Sequence, residues 1–124
     1  MNENNRYIKG LDNLSKIDGE QGQLVIDSLS GIAEDIGMYI IEFAFGDIYD
    51  RKTLDLKQRE MITITSLLSQ GGTENQLRVH INGSLNVGLS KEEIIEIFIQ
   101  CIPYVGFPRV LNATSIALEI FAGK

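Results

Sequence analysis

Residues 56–87 read LKQREMITITSLLSQGGTENQLRVHINGSLNV. Apolar side chains recur there at intervals of three and four residues on both sides of Gly71-Gly72, which is the spacing of an amphipathic α-helix. Glycines end helices readily, because a residue without a Cβ adopts the left-handed backbone that terminates a helix. The stretch therefore predicts a helical hairpin with arms at Leu56–Gln70 and Glu74–Val87.

Two ionisable side chains interrupt the apolar pattern of this hairpin. Glu60 falls inside the apolar stripe of the first arm, and His80 lies at the edge of the stripe of the second. Glu60 lies eleven residues before Gly71 and His80 eight residues after Gly72, so an antiparallel hairpin brings them to heights that differ by about 4–5 Å. A carboxylate among apolar side chains needs a partner or a proton. We therefore expect a contact between Glu60 and His80, which would raise the basicity of the imidazole and fix its tautomer.

Each member of this pair has a catalytic and a structural interpretation. Glu60 is either a catalytic or orienting acid, or half of a structural ion pair with an arginine such as Arg59, Arg78 or Arg109. His80, the single histidine of the chain, is either an acid–base catalyst or a packed residue whose hydrogen bonds are satisfied. The residues alone leave both interpretations open.

Four further residues are candidates for contacting a ligand. A guanidinium binds a carboxylate through two parallel hydrogen bonds, so Arg51 and Arg109 are candidates for holding an anionic substrate. Tyr49 and Phe107 are candidate aromatic contacts of the same ligand. The simpler interpretation is a solvated charge for each arginine, and packing in the core or in a subunit interface for each aromatic residue.

Helical periodicity also dominates the rest of the chain, so the sequence predicts an all-α fold. The further predicted elements are helices at Asn4–Ile17, Glu20–Asp47, Lys91–Pro103 and Phe107–Ala122, a turn at Asp18-Gly19, a break at Gly31 or Gly37 and a loop at Tyr49–Thr53. The predicted helix caps are Asp55, Thr73 and Ser90, each followed three residues later by Gln or Glu. The helix at 91–103 is apolar around most of its circumference, so we expect a second copy to cover part of it and predict a homo-oligomer.

The composition restricts the classes of function. With 124 residues, the chain is expected to form a single domain, residues 1–124. A net charge of −6 argues against nucleic-acid binding. No apolar stretch approaches the roughly 20 residues of a membrane span, and the start MNENNRYIKG is unlike a signal peptide, so we expect a cytoplasmic protein with no membrane partner.

The cysteine count restricts the chemistry further. The single cysteine, Cys101, excludes an internal disulfide framework and a CxxC redox pair, and we expect it to be a buried, inert thiol. One cysteine and one histidine also argue against a Cys/His zinc site, so we expect no metal.

Ordered blocks of the chain resemble the carboxymuconolactone decarboxylase family. The blocks are FAFGDIY at 43–49, LDLKQRE at 54–60, QLRVHING at 76–83, NVGLSKEEIIE at 86–96, QCIPY at 100–104 and GFPRVLNA at 106–113. The resemblance covers residues 40–122 strongly and the N-terminal third loosely. It implies one all-α domain with a central helical hairpin, associated as a homotrimer or homohexamer.

The family has two branches, and the residues favour one of them. One branch decarboxylates γ-carboxymuconolactone, and the other is similar to alkylhydroperoxidase D, which uses a CxxC pair. This chain has Thr73 and Gln76 at the positions of those cysteines, so we exclude thiol peroxidation by that mechanism. Glu60 nevertheless matches the glutamate of the peroxidase branch, where decarboxylases carry a small polar residue. The chain also lacks the decarboxylases' tryptophans near Phe45 and Tyr49 and their cysteine at Val105.

The resemblance therefore implies decarboxylation of γ-carboxymuconolactone or a related small anionic acid. No cofactor is expected, because the lactone itself takes up the electrons. His80 would donate the proton, Glu60 would orient it, and Arg51 or Arg109 would hold a substrate carboxylate. The alternatives are isomerisation or dehydration of another enolisable acid, a member of the peroxidase superfamily without thiol chemistry, and a non-catalytic oligomeric binding protein.

Overall fold

A computed structural model describes the backbone of residues 2–123 and the side chains of residues 5–123. Every regular element in that range is a helix, which confirms the predicted all-α class. The elements are α1 (Asn2–Ser28), α2 (Glu34–Tyr39), the π-helix π1 (Ile40–Ile48), α3 (Leu56–Gln70), α4 (Glu74–Asn86), α5 (Lys91–Val105) and α6 (Phe107–Phe121). The chain forms two compact units that divide between Leu56 and Lys57.

The first unit confirms two of the predicted helix breaks. Gly19 has the non-helical angles φ 54° and ψ −133° and kinks α1, as the Asp18-Gly19 turn predicts. Gly31, with φ 88°, lies between α1 and α2. Gly37 is not a break, because it is buried inside α2. Glycine is required at the first two positions, since L side chains rarely adopt such positive φ angles.

Helix α2 continues directly into π1, which the sequence does not predict. Two glycines bring α1 and π1 into close backbone contact. A Cβ on Gly10 would collide with the carbonyl oxygen of Ile41, and a Cβ on Gly46 would lie 2.5 Å from the carbonyl oxygen of Arg6. The side chain of Arg6 also forms an ion pair with Asp47 at 2.9 Å. These contacts fix the register of π1 against α1.

The second unit contains the predicted hairpin. Its arms, α3 and α4, end and begin within one residue of the predicted bounds, and they are joined at Gly71 and Gly72, with φ angles of 74° and 72°. The core of this unit is formed by apolar side chains of all four helices and of the loop between α4 and α5: Ile64, Leu68, Leu77, Ile81, Leu89, Ile94, Ile97, Phe98, Cys101, Val110, Ala113, Ile116 and Ala117. The hairpin therefore presents Glu60 and His80 from helices that are fixed by a common core.

One predicted helix cap is confirmed and one is wrong. Ser90 accepts a hydrogen bond from the backbone N–H of Glu93, and the Glu93 carboxylate accepts one from the N–H of Ser90, which is a complete capping box. Thr73 makes no side-chain cap. Its hydroxyl instead donates to the carbonyl oxygen of Leu67 at 2.6 Å, which satisfies one of the last carbonyl groups of α3.

Helix α5 is only partly covered by its own chain. Ile94 and Phe98 are buried, whereas Ile99 is 49% and Tyr104 82% exposed. Association with further copies stays a prediction. Among the described residues, no helix combines the length and the apolar character that crossing a bilayer requires.

Candidate functional site

Glu60 of α3 and His80 of α4 are in direct contact. The distance between His80 Nδ1 and Glu60 Oε1 is 2.9 Å. The side chain of Glu60 has no exposed surface, and that of His80 is 18% exposed. The predicted contact is therefore confirmed, with the carboxylate in the interior and the imidazole at its outer side.

The hydrogen-bonding capacity of the two groups determines which nitrogen is left for chemistry. An ionised carboxylate only accepts hydrogen bonds, so with Glu60 ionised the bond requires the hydrogen on Nδ1 of His80. The nitrogen left to exchange a proton with a bound molecule is Nε2. A buried negative charge at hydrogen-bond distance also stabilises the positively charged imidazolium. The pair can therefore hold a proton at Nε2 and release it.

The sequence around each group explains its placement. Ile64 follows Glu60 by one helical turn and is fully buried, and Ile81 next to His80 is fully buried as well. The hydroxyl of Ser84 donates to the backbone carbonyl of His80 at 2.7 Å, so this small polar side chain is also satisfied. The imidazole ring therefore projects from a part of α4 that the buried Ile81 side chain fixes in the core.

Two of the three arginines considered as partners of Glu60 have other contacts. Arg78 forms an ion pair with Glu119 at 2.9 Å. Arg109 donates to the carbonyl oxygen of Ser69 at 3.2 Å, at the C-terminal end of α3. The structural alternative for Glu60 therefore gains no support from these two residues.

The structure does not bring Arg109 to His80 in this conformer. Ser69 lies nine residues beyond Glu60 on α3, which corresponds to about 13 Å along the helix axis. Phe107 precedes Arg109 at the start of α6 and is 61% exposed. Both residues are accessible, but their contact with a substrate stays a prediction.

Tyr49 and Arg51 lie together in the first unit. The ring of Tyr49 stacks on that of Phe45, with centroids 4.8 Å apart and an interplanar angle of 11°. Both candidate residues line a polar cleft of about 360 Å³ that also includes Lys16 and Lys52. Tyr49 and Arg51 therefore line the same cleft, and their contact with a substrate stays a prediction.

Asn13 was not singled out from the sequence, although it organises this cleft. It is 5% exposed, and its amide donates to the carbonyl oxygen of Phe45 at 2.8 Å and to Asp50 Oδ1 at 3.3 Å. Burial alone would raise the pKa of Asp50, but the hydrogen bond from Asn13 and the charges of Lys52 and Lys9 outweigh it and lower this pKa. The feature of the sequence that could have indicated Asn13 is its place one position before Leu14, on the buried side of α1.

Cys101 lies in the core of the second unit, as expected. Burial raises the pKa of its thiol, and a hydrogen bond with Thr65 acts in the opposite direction without cancelling that effect. The thiol is therefore uncharged near neutral pH and is a poor nucleophile there. The side chains of Glu60 and His80 are also of the types that bind metal ions, and the expected absence of a metal stays a prediction.

Comparisons with known proteins agree with this architecture. The sequence profile of the Carboxymuconolactone decarboxylase family matches residues 34–119. The chain is 32% identical over 122 residues to 4-carboxymuconolactone decarboxylase of Acinetobacter baylyi, covering 98% of this chain and 90% of that protein.

Two further relatives match shorter parts of the chain. An uncharacterised 15.0 kDa protein of Paracoccus denitrificans is 34% identical over 84 residues, which cover 67% of this chain and 63% of that protein. Nitrosuccinic acid decarboxylase of Metarhizium robertsii is 32% identical over 74 residues, covering 60% of this chain and 51% of that protein. The profile match and the nearly full-length similarity together show that the chain belongs to the carboxymuconolactone decarboxylase family.

Proposed function

We propose that the protein is a carboxy-lyase that decarboxylates a small anionic lactone, γ-carboxymuconolactone or a related acid, without a cofactor. The names of two relatives, a 4-carboxymuconolactone decarboxylase and a nitrosuccinic acid decarboxylase, support a decarboxylase. The single observation that carries the proposal is the contact between the buried Glu60 carboxylate and the partly exposed His80 imidazole.

In this proposal the substrate carries its own electron acceptor. Breaking the bond between the ring carbon and its carboxylate releases CO₂ and leaves an electron pair, which spreads through the ring to the lactone carbonyl. His80 then transfers the proton on Nε2 to carbon, and solvent returns a proton to the imidazole. A positioned general acid of this kind typically accelerates a reaction by about 10²–10⁴-fold. The Glu60 carboxylate, 2.9 Å from Nδ1, would stabilise the imidazolium before the transfer.

An arginine would hold a carboxylate of the substrate, and Arg51 and Arg109 are the candidates. Arg109 would reach a molecule bound at His80 from another rotamer or from another copy of the chain, because its present contact is with Ser69. Tyr49 and Phe107 would supply apolar surface, and a poorly solvated carboxylate leaves more readily as CO₂. A cytoplasmic homotrimer or homohexamer is the assembly that we propose for this activity.

The test is CO₂ release from γ-carboxymuconolactone and from nitrosuccinic acid, measured for the unmodified protein and for His80→Gln. We expect turnover of at least one acid and a loss of about 10²-fold or more in the variant, since the general acid is removed. Glu74→Gln, which changes an exposed residue at the start of α4, is the control and should keep full activity.

Two other outcomes would replace this proposal. The same acid–base pair suits isomerisation or dehydration of an enolisable acid, which would consume substrate without releasing CO₂. A non-catalytic binding protein would bind acids of the panel and convert none of them, and His80→Gln would change only its stability.

A further inference from the structure

A groove lies between α3 and α5 in the second unit, and its lining does not include Glu60 or His80. Its volume is about 360 Å³, and its apolar lining consists of Met61, Ile97 and Cys101. Small-molecule sites in proteins are typically apolar clefts of about 300–1,000 Å³ with a few polar groups. The groove therefore has the size and lining of a site for a small organic molecule.

The polar groups at this groove are mainly hydrogen-bond acceptors. The lining contains the carboxylates of Glu93 and Glu96 and the amide of Gln100, and it contains no lysine or arginine. Glu93 is already engaged, because its carboxylate accepts from the N–H of Ser90 at 2.8 Å. This hydrogen bond, with the nearby charge of Lys57, lowers the pKa of Glu93.

Glu96 differs from Glu93 in having no compensating charge. It is exposed on α5, and it forms no ion pair within the part of the chain that the structure describes. The groove is thus apolar inside and carries one uncompensated negative charge at its edge.

The interior of the groove offers polarisable surface and no competing charge. The hydroxyl of Thr65 donates to the carbonyl oxygen of Met61 at 2.8 Å. Cys101 is an uncharged thiol at neutral pH, because burial raises its pKa. The sulfur atoms of Met61 and Cys101 favour contact with aromatic rings or alkyl chains.

We propose that the groove between α3 and α5 is a binding site for a small organic ammonium compound, whose apolar body lies against Met61, Ile97 and Cys101 and whose cation lies at Glu96. Charge complementarity determines the class of ligand. An anion would meet two carboxylates, and a neutral molecule would forgo the ion pair. This site is separate from the proposed reaction, whose substrate is an anion.

The first experiment compares three probes of the same shape and different charge. The full ¹⁵N-labelled chain is titrated with 2-phenylethylamine, 2-phenylethanol and 3-phenylpropionate while backbone amide shifts are followed by NMR. We expect saturable binding of the amine with a dissociation constant in the millimolar range, as for a compound of about ten non-hydrogen atoms. The shifts should map to residues 61–65 and 96–101, the alcohol should bind several-fold more weakly, and the carboxylate should not bind.

The second experiment uses two matched charge variants of α5. Glu96→Gln should weaken binding of the amine by roughly five-fold, the effect of losing one exposed ion pair, and should leave binding of the alcohol unchanged. Glu92→Gln removes the same charge from an exposed position of α5 outside the groove lining, and it should leave both affinities unchanged.

Several results would overturn the proposal. They are the absence of saturable amine binding up to about 20 mM, equal binding of the three probes, equal effects of the two variants, and shifts that map to His80 instead of the groove. The proposal would also be overturned if the amide shifts of the groove residues changed with protein concentration and did not respond to the amine. A second copy of the chain would then occupy the groove.

Discussion

Replacing Glu60 with Gln tests whether the buried carboxylate supports a charged imidazole at His80. Glutamine keeps the size of the side chain and an acceptor oxygen, so the N–H at Nδ1 keeps a hydrogen bond but loses a full negative charge 2.9 Å away. Hydrogen bonds to charged groups contribute about 1.5–3 kcal/mol, against about 1 kcal/mol for neutral ones. The difference of roughly 0.5–2 kcal/mol predicts a loss of about 2- to 30-fold in the rate of CO₂ release at neutral pH.

The pH dependence gives the sharper result. The proposed active form is the imidazolium, which is present at low pH and is lost as the pH rises. Removing the negative charge 2.9 Å from the ring destabilises that imidazolium, so the basic limb of the kcat profile should move to lower pH. The deficit of Glu60→Gln should therefore shrink on acidification, whereas Glu74→Gln should leave the profile in place. A rate loss that is equal at every pH and accompanied by a lower Tm would refute this reasoning and identify a structural polar pair.

Other substitutions test the fold and the environment of single residues. Gly10→Ala should lower the free energy of unfolding by about 2–3 kcal/mol, since the new Cβ would collide with the Ile41 carbonyl. Gly37→Ala should be neutral or stabilising, because no atom lies nearer than 3.7 Å to its Cβ. Equal Tm values for the two variants would contradict the close approach of Gly10 to Ile41. Ser90→Ala should cost about 1 kcal/mol through loss of the capping box, and an unchanged Tm would show that the cap is dispensable. Because the folded-state pKa of Glu93 is lowered, its stabilising effect should be complete above the ordinary pKa of a glutamate and should be lost as the pH falls through the lower folded-state pKa. The stability difference from Glu93→Gln, measured in urea, should shrink accordingly, and a constant difference would argue against this linkage. Iodoacetamide should modify Cys101 at least about ten-fold more slowly in the native protein than in guanidinium chloride, and equal rates would mean that the thiol is accessible.

The hairpin and its polar pair were predictable because both depend on local patterns. Gly71 and Gly72 interrupt a helical periodicity, and the distances from them to Glu60 and His80 determine the relative heights of the two side chains. Packing of the core then only has to bring together two helices on which Glu60 and His80 already lie at similar heights. The direct contact therefore followed from counting residues along two helices.

Other features depend on contacts that local patterns do not contain. The apolar spacing of residues 40–48 suits an α-helix as well as a π-helix, and the close approach of Gly10 to Ile41 is a tertiary contact. Thr73 fits the capping pattern, but its hydroxyl also donates, and the Leu67 carbonyl competes for it. The position of the Arg109 guanidinium is set by rotation about a long side chain, which sequence spacing does not describe.

The burial of Glu60 behind His80 has a consequence for how the proposed site would be reset after each turnover. The carboxylate has no exposed surface, whereas the ring is 18% exposed, so water reaches the ring and not the carboxylate. The rate of recharging would depend on the proton donors dissolved around the protein, and small buffer acids that reach the ring should accelerate it.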